Sequence, residues 1–475
     1  MAGWRMRRRV SSVRCMMIFC YCAVAAGLTL QSSPWPTAAG DSQRTGWTNS
    51  TFPLQEPSIA WEFTISPDIP GCSKKTNSIH DVLPFGAITR GDGIILVLQV
   101  KRAYRAEMTL LAVHPSGQVE FNATGMPFAS VGDAVSGAVL SDDSVIVSAR
   151  GSVLRVSKEG EVVWKVMHNG SKEADAISEP LVAGSVAIVT GLECNLYDDH
   201  DGARRAAYAG LSLATGETVW TAALDSLYGY CSTPTLSADG KSAWVVATGN
   251  KPYSARYALA PATGRFLCAN VSFPTIGNPA FTGERKNVGV GDAMWLLYNE
   301  GDPACWPHCG VSPRLFRVHT APPFATAGVT ALPKNISEDL RLTVSVASDR
   351  TRTILYSFNG LGDLFAIDAD SGHTKWVSHA CRCPSDSACA DAPYLWGDGI
   401  PYLKRLPPAV DTAGNVLTAI GTKLCLVGAR DGATLWTVDL ETQWHVAAPT
   451  FGADGAIFAV TANDQHGTRL VALRS

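Results

Sequence analysis

Asp198, Asp199, His200 and Asp201 are consecutive and carry the oxygen and imidazole groups that a divalent cation takes. Consecutive side chains cannot all point at one ion, and the spacing is not that of an EF-hand, so a solvated acidic loop is the expectation. Cys305-Trp-Pro-His-Cys309 has residue types suited to redox or zinc chemistry. Its three-residue spacer departs from C-x-x-C, so a loop staple is expected. Cys381, Cys383 and Cys389 fall in a stretch, 378–406, that also holds Tyr394, Trp396 and Tyr402. Two staples, or one plus a remote partner, fit these cysteines. The aromatics either form a ligand face or cover a sheet edge. The motifs G-x-S-x-G and H-E-x-x-H are absent, as are phosphate loops, and the ten histidines show no paired spacing. Nothing therefore argues for a serine hydrolase, a zinc protease or a nucleotidase.

Such residues need elements to hold them. The 475 residues are 46% hydrophobic and 17% charged, enough apolar surface for a large core and far from a disordered composition. The formal net charge is -3, but Arg5, Arg7, Arg8, Arg9 and Arg14 skew it; without them 34 basic residues face 42 acidic ones, giving -8. A chain so acidic is a poor partner for nucleic-acid phosphates. The basic stretch precedes an apolar run from Cys15 to Leu30, of secretory-leader length and short for a membrane span. Residues 1–26 are read as a signal peptide cleaved after Ala26, with a signal anchor or a transit peptide as alternatives, and 27–46 as a linker. Beyond the leader ten cysteines remain, an even number that permits up to five disulfides. Sequons stand at Asn49, Asn122, Asn169, Asn270 and Asn335. Leader, cysteines and sequons together point to the secretory pathway and an extracellular or lumenal glycoprotein.

The organising feature is a repeat. G-L-S-L-A-T-G-E-T-V-W from Gly210, A-I-D-A-D-S-G-H-T-K-W from Ala366 and L-V-G-A-R-D-G-A-T-L-W from Leu426 share one pattern, with a glycine four residues before each tryptophan. Gly160–Trp164, Gly117–Phe121 and Gly264–Cys268 keep that spacing more weakly. Each copy reads as a β-hairpin whose glycine allows positive φ and whose aromatic packs on a neighbour. Short strands at regular spacing, with no helical periodicity after the leader, predict an all-β propeller of four-stranded antiparallel blades over 47–475. The docking positions are Trp61, Phe121, Trp164, Trp220, Cys268, Trp376 and Trp436, and the Cys268–Trp376 interval is about twice the others. A degenerate copy near Leu315–Val318 would make eight blades; seven with a long insertion is the rival. Thr468–Leu473 lacks a second half-hairpin and Ser58–Phe63 lacks a first, so the chain ends are expected to pair and close the ring.

The repeat A-x-D-x-x-x-G-x-x-x-W, best at Ala366, Asp368, Gly372 and Trp376, resembles the tryptophan-docking repeat of quinoprotein-type (PQQ-like) propellers, the quinoprotein alcohol dehydrogenase-like superfamily. Trp35-Pro36 followed by Asp41, Gln43, Arg44, Thr45 and Gly46 is similar to the opening of these domains. The resemblance covers most of 34–475 and is weakest between Asn270 and Asn335. It implies pyrroloquinoline quinone and calcium in enzymatic members, with Glu193 and Asn250 at positions resembling cofactor and metal ligands. Three departures oppose an active dehydrogenase. No two cysteines are adjacent; the stretch expected to carry the base reads A-N-V-S-F-P-T-I-G-N-P; and C-N-L-Y-D-D-H-D-G-A-R-R is inserted after Glu193. The expectation is a non-catalytic binding or scaffold propeller without cofactor, with a protein or glycan ligand held by loop insertions. The alternative is a PQQ- and calcium-dependent oxidoreductase acting on an alcohol or sugar.

Overall fold

The computed structural model describes residues 28–33, 36–37, 40–41, 46–66, 82–101, 107–127, 136–149, 152–167, 180–190, 207–223, 234–248, 254–272, 287–290, 293–300, 312–319, 326–331, 346–348, 353–358, 363–382, 408–420, 422–440, 449–452, 454–463 and 467–475. Among them every named element is a strand. The strands form eight four-stranded antiparallel sheets. In chain order they are sheet I (82–127), II (136–167), III (181–223), IV (235–272), V (287–331), VI (346–378), VII (409–439) and VIII (450–474). Sheet VIII takes its fourth strand, Ser58–Ser66, from the other end of the chain, with Trp61 opposite Ala472 and Phe63 opposite Leu470.

Burial explains why the strands read as they do. Middle strands are covered on both faces, so Leu364–Asp368 (L-F-A-I-D) is an almost unbroken apolar run. Fourth strands lie at the circumference: in Thr434–Asp439 only Trp436 and Val438 are buried, while Leu435 is exposed. The core lies in the seams between consecutive sheets. Ile88, Leu96 and Leu110 of sheet I pack against Val139, Val145 and Leu154 of sheet II. Ile95 and Val97 of sheet I pack against Phe458 and Val460 of sheet VIII. Ala138 and Ile146 of sheet II meet Ala187 and Val189 of sheet III. No single sheet encloses a core, so the ring is the unit that folds.

Antiparallel order gives the molecule two faces. The turns joining first to second and third to fourth strands lie on one, the turn face. The connections joining second to third strands, and each sheet to the next, leave from the other, the loop face.

Candidate functional site

Trp220 shows how a docking residue is held. It faces Gly210 across the third and fourth strands of sheet III, where its indole fills the space a side chain would need: a Cβ on Gly210 would meet it at 2.3 Å. The other side of the ring covers Gly264 of sheet IV, which has φ +66 and room for no Cβ. The indole Nε1 donates to the Pro261 carbonyl at 2.9 Å. This joins sheets III and IV through apolar contact and one satisfied polar group. The same geometry recurs from Trp61 to Pro115 O at 2.8 Å, Trp164 to Leu213 O at 3.0 Å, and Trp376 to Ala429 O at 3.0 Å. Trp436 donates to Pro53 O at 2.8 Å, and the Phe121 ring covers Gly160.

Turn carboxylates support the docks. Asp368 accepts from the Ser371 N–H and hydroxyl, both at 2.8 Å, and from Lys375 Nζ at 3.3 Å. These bonds, the Ser371 backbone first, pull its carboxyl down to about 2. In sheet VII the buried Asp411 accepts from the N–H groups of Ala413 and Asn415 and also from Phe52 N–H, at 2.9, 2.7 and 3.1 Å.

Phe52 ends a strap that lies on the turn face against the first strands of sheets II and VII. Gln31 N–H donates to Val139 O, and Val139 N–H to Pro36 O, both at 2.9 Å. Val139 uses the edge of its strand that faces away from the rest of sheet II, toward the ring axis. The Gln31 side chain accepts from Gly91 N–H of sheet I and donates to Asp143 of sheet II. The chain then reaches sheet VII, where Val410 N–H donates to Gly46 O and Thr48 N–H to Val410 O, both at 2.8 Å. Ser33, Pro36, Gly40, Gly46 and Thr48 are buried. The segment read as a linker is thus hydrogen-bonded to the inner edges of two sheets with two others between them. The Pro36, Asp41 and Gly46 of the opening motif belong to it.

Glu193 and Asn250 lie outside the described residues, as do Asp198, Asp199, His200, Asp201, Cys305, Cys309, Cys383, Cys389, Tyr394, Trp396 and Tyr402. The strands flanking them still place their connections. Glu193 and the acidic run fall between second and third strands of sheet III, Asn250 between those of sheet IV, and Cys305–Cys309 between those of sheet V. Residues 384–406 fall between sheets VI and VII. All four connections leave from the loop face, opposite the strap. Among the described residues no group of three or more His, Cys, Asp or Glu is placed to hold a metal ion. Asn49 and Asn122 are exposed, as a glycan acceptor must be, whereas Asn169 and Asn335 lie outside the described residues. Asn270 is in the fourth strand of sheet IV.

Three features were not legible beforehand. Cys381 pairs with Cys425 at a Cα separation of 5.8 Å, joining the end of sheet VI to sheet VII; this is the remote partner that spacing left open. Beside it, His379 and Asp363 share a 2.6 Å hydrogen bond at the loop-face end of sheet VI. The degenerate copy expected near Leu315–Val318 is the hairpin of sheet V whose third strand is Ser312–His319, with Gly328 opposite Arg317 at the docking position. A search by aromatic and turn glycine misses it because no aromatic is there.

The family profile described as outer membrane protein assembly factor BamB matches residues 112–282. BamB from Moraxella catarrhalis is similar at TM-score 0.52 and 13% identity, over 88% of this chain and 100% of that one. Quinohemoprotein alcohol dehydrogenase from Comamonas testosteroni is similar at 0.58 and 11%, over 92% and 80%. Saccharomyces cerevisiae Sqt1 is similar at 0.51 and 9%, over 83% and 96%. No curated protein sequence matches significantly. With docking tryptophans at sheet after sheet and the fold shared with these structures, the described strands form a β-propeller whose residues 112–282 match a PQQ-like repeat profile.

Proposed function

We propose that this propeller is a non-catalytic binding or scaffold module of the secretory pathway that recognises a protein or glycan through its loop face. The observation that carries the reading is the contrast between the two faces. On the turn face the described hairpins are short, and the strap is hydrogen-bonded to the inner edges of sheets II and VII. On the loop face connections vary widely: sheet II passes from Ala149 to Ser152 almost directly, whereas sheet III runs from Thr190 to Ala207. Insertions of unequal length on a rigid base are how a common scaffold acquires its own ligand. The match to an assembly-factor profile supports this reading, as do the departures from the enzymatic pattern around Glu193 and after Cys268. The leader and the exposed Asn49 and Asn122 support an extracellular or lumenal location for a glycosylated protein.

The test is calorimetric titration of the leader-free protein with pyrroloquinoline quinone, with and without calcium. No heat of binding in either condition is the expected result. Micromolar, calcium-dependent binding that disappears in Glu193→Ala and Asn250→Ala would establish the oxidoreductase reading instead. Alcohols and sugars would then be screened with an artificial electron acceptor.

A further inference from the structure

Sheet VIII closes the ring, because its outer strand, Ser58–Ser66, comes from the other end of the chain. That strand turns Trp61, Phe63 and Ile65 toward sheet I. They pack against a cluster formed by Leu111 and Val113 of sheet I with Phe458, Val460 and Leu470 of sheet VIII. All three are half-buried rather than buried. The reason is geometric: sheets set around an axis diverge with radius, so a seam that is tight at the middle strands widens at the circumference. Trp61 lies at the turn-face end, where its ring covers Gly117 and its Nε1 donates to Pro115 O. Phe63 and Ile65 stand further along the same wall, toward the loop face.

The opposing wall carries an acceptor for a glycan. Asn122 lies in the fourth strand of sheet I, directly opposite Leu111. Opposed residues of an antiparallel pair project to the same face, so the Asn122 side chain shares the Leu111 side of the sheet, the side toward Phe63. Its neighbours follow the alternation: Phe121 and Ala123 pack the other way, against the cluster between sheets I and II. The depth matches as well. Counted along the third strands, Phe63 opposite Leu470 is two residues from Trp61 opposite Ala472. Asn122 opposite Leu111 is two residues from Val119 opposite Val113. Asn122 is exposed, and Asn122-Ala123-Thr124 is a sequon.

We infer that an N-linked glycan on Asn122 packs its first N-acetylglucosamine into the seam between sheets VIII and I, over Phe63, and so secures the strand that closes the ring. The inference rests on the proposed glycosylation of the chain in the secretory pathway. The chemistry fits the walls: the pyranose C–H face lies flat on an aromatic ring and removes apolar surface from water, while the sugar hydroxyls stay solvated. Covalent attachment keeps the sugar at the seam, so contact does not compete with dilution. The glycan then adds at the circumference what the middle strands already have, cover on both sides of the seam.

Hydrogen exchange by mass spectrometry on the protein secreted from a eukaryotic host tests this, with occupancy of Asn122 read first from the mass of its peptide. The peptides to follow cover Ser58–Ser66 and Gly467–Arg474, the two strands paired at closure. Exchange there is expected to be about 2- to 10-fold slower in the occupied protein than in Asn122→Gln, the range of one aromatic contact. Val145–Ala149 and Val416–Ile420 should not change. Thr124→Ala, which keeps the asparagine and removes the sequon, should match Asn122→Gln. Enzymatic trimming to a single N-acetylglucosamine should leave the protection in place. In Phe63→Leu the occupied and unoccupied forms should exchange alike, because the ring is gone and the apolar bulk remains. Equal exchange with and without the glycan, protection lost on trimming, or protection persisting in Phe63→Leu would overturn the inference while leaving glycosylation intact. An unoccupied Asn122 would overturn both at this position. If Phe63→Leu does not fold, the comparison of occupied, trimmed and Asn122→Gln proteins decides.

Discussion

A docking tryptophan can perform three tasks with one side chain: it fills the space over a glycine of its own or the next sheet, covers the seam, and donates to a backbone carbonyl. Trp220 does all three, so Trp220→Ala leaves a cavity over Gly210 and Gly264 and deprives the Pro261 carbonyl of its donor. A loss of about 3–5 kcal/mol is expected in denaturant unfolding, the usual range for buried tryptophan truncation. Trp220→Phe should recover most of the apolar part and not the hydrogen bond. At the surface, Asn122 tests the compartment. Expressed through a eukaryotic secretory host, Asn49→Gln and Asn122→Gln should each remove one glycan's mass on an electrophoretic gel. Identical mobility of both variants and the unaltered protein would argue against glycosylation at these positions.

The hairpin is the scale at which pH acts. Asp368 has its pKa lowered from 3.8 to about 2 by the Ser371 N–H and hydroxyl, with Lys375 adding to it. A carboxyl lowered on folding contributes stability that is complete above its unfolded value and lost as pH falls through the folded one. Unfolding midpoints should therefore decline between about pH 4 and 2, and Asp368→Asn should flatten that part of the profile. An unchanged slope in the variant would show that other carboxylates dominate. The staple between sheets VI and VII acts on the unfolded chain. Cys381→Ala with Cys425→Ala is expected to cost about 2–4 kcal/mol, mostly by freeing the loop between them. The purified protein should show a loss at least as large after reduction, read as a lower thermal midpoint.

At the scale of the whole molecule, the strap is part of the ring. Gly46 has φ 67 and its carbonyl accepts from Val410, so a β-branched residue there strains the backbone at the contact itself. In Gly46→Val, the amides of Thr48 and Val410 should exchange faster than in the unaltered chain while those of Val145–Ala149 stay protected. Equal exchange at Thr48 and Val410 in both proteins would mean that the strap's seat does not depend on Gly46. The strap's hydrogen bonds to the inner edges of sheets II and VII lie on the same face as the joints between sheets. The aromatic docks lie in the turn-face hairpins; the variable connections lie opposite.

The sequence by itself determined the sheet type, the repeat and the order of the docking residues. These are local properties: a turn glycine four residues before an aromatic, and apolar runs of strand length, are written in neighbouring positions. It also marked Pro36, Asp41 and Gly46 as a motif, without saying what they touch. Tertiary structure alone decided the rest, because each case joins residues far apart in the chain. Val139 and Val410 receive the strap, Cys425 is the partner of Cys381, and Gly328 is found through its strand register because it has no side chain to announce it. Arg317 meets Asp370 because ring geometry brings one sheet's third strand to the next sheet's turn. A local pattern specifies a blade, and only the closed ring specifies which distant residues meet between blades.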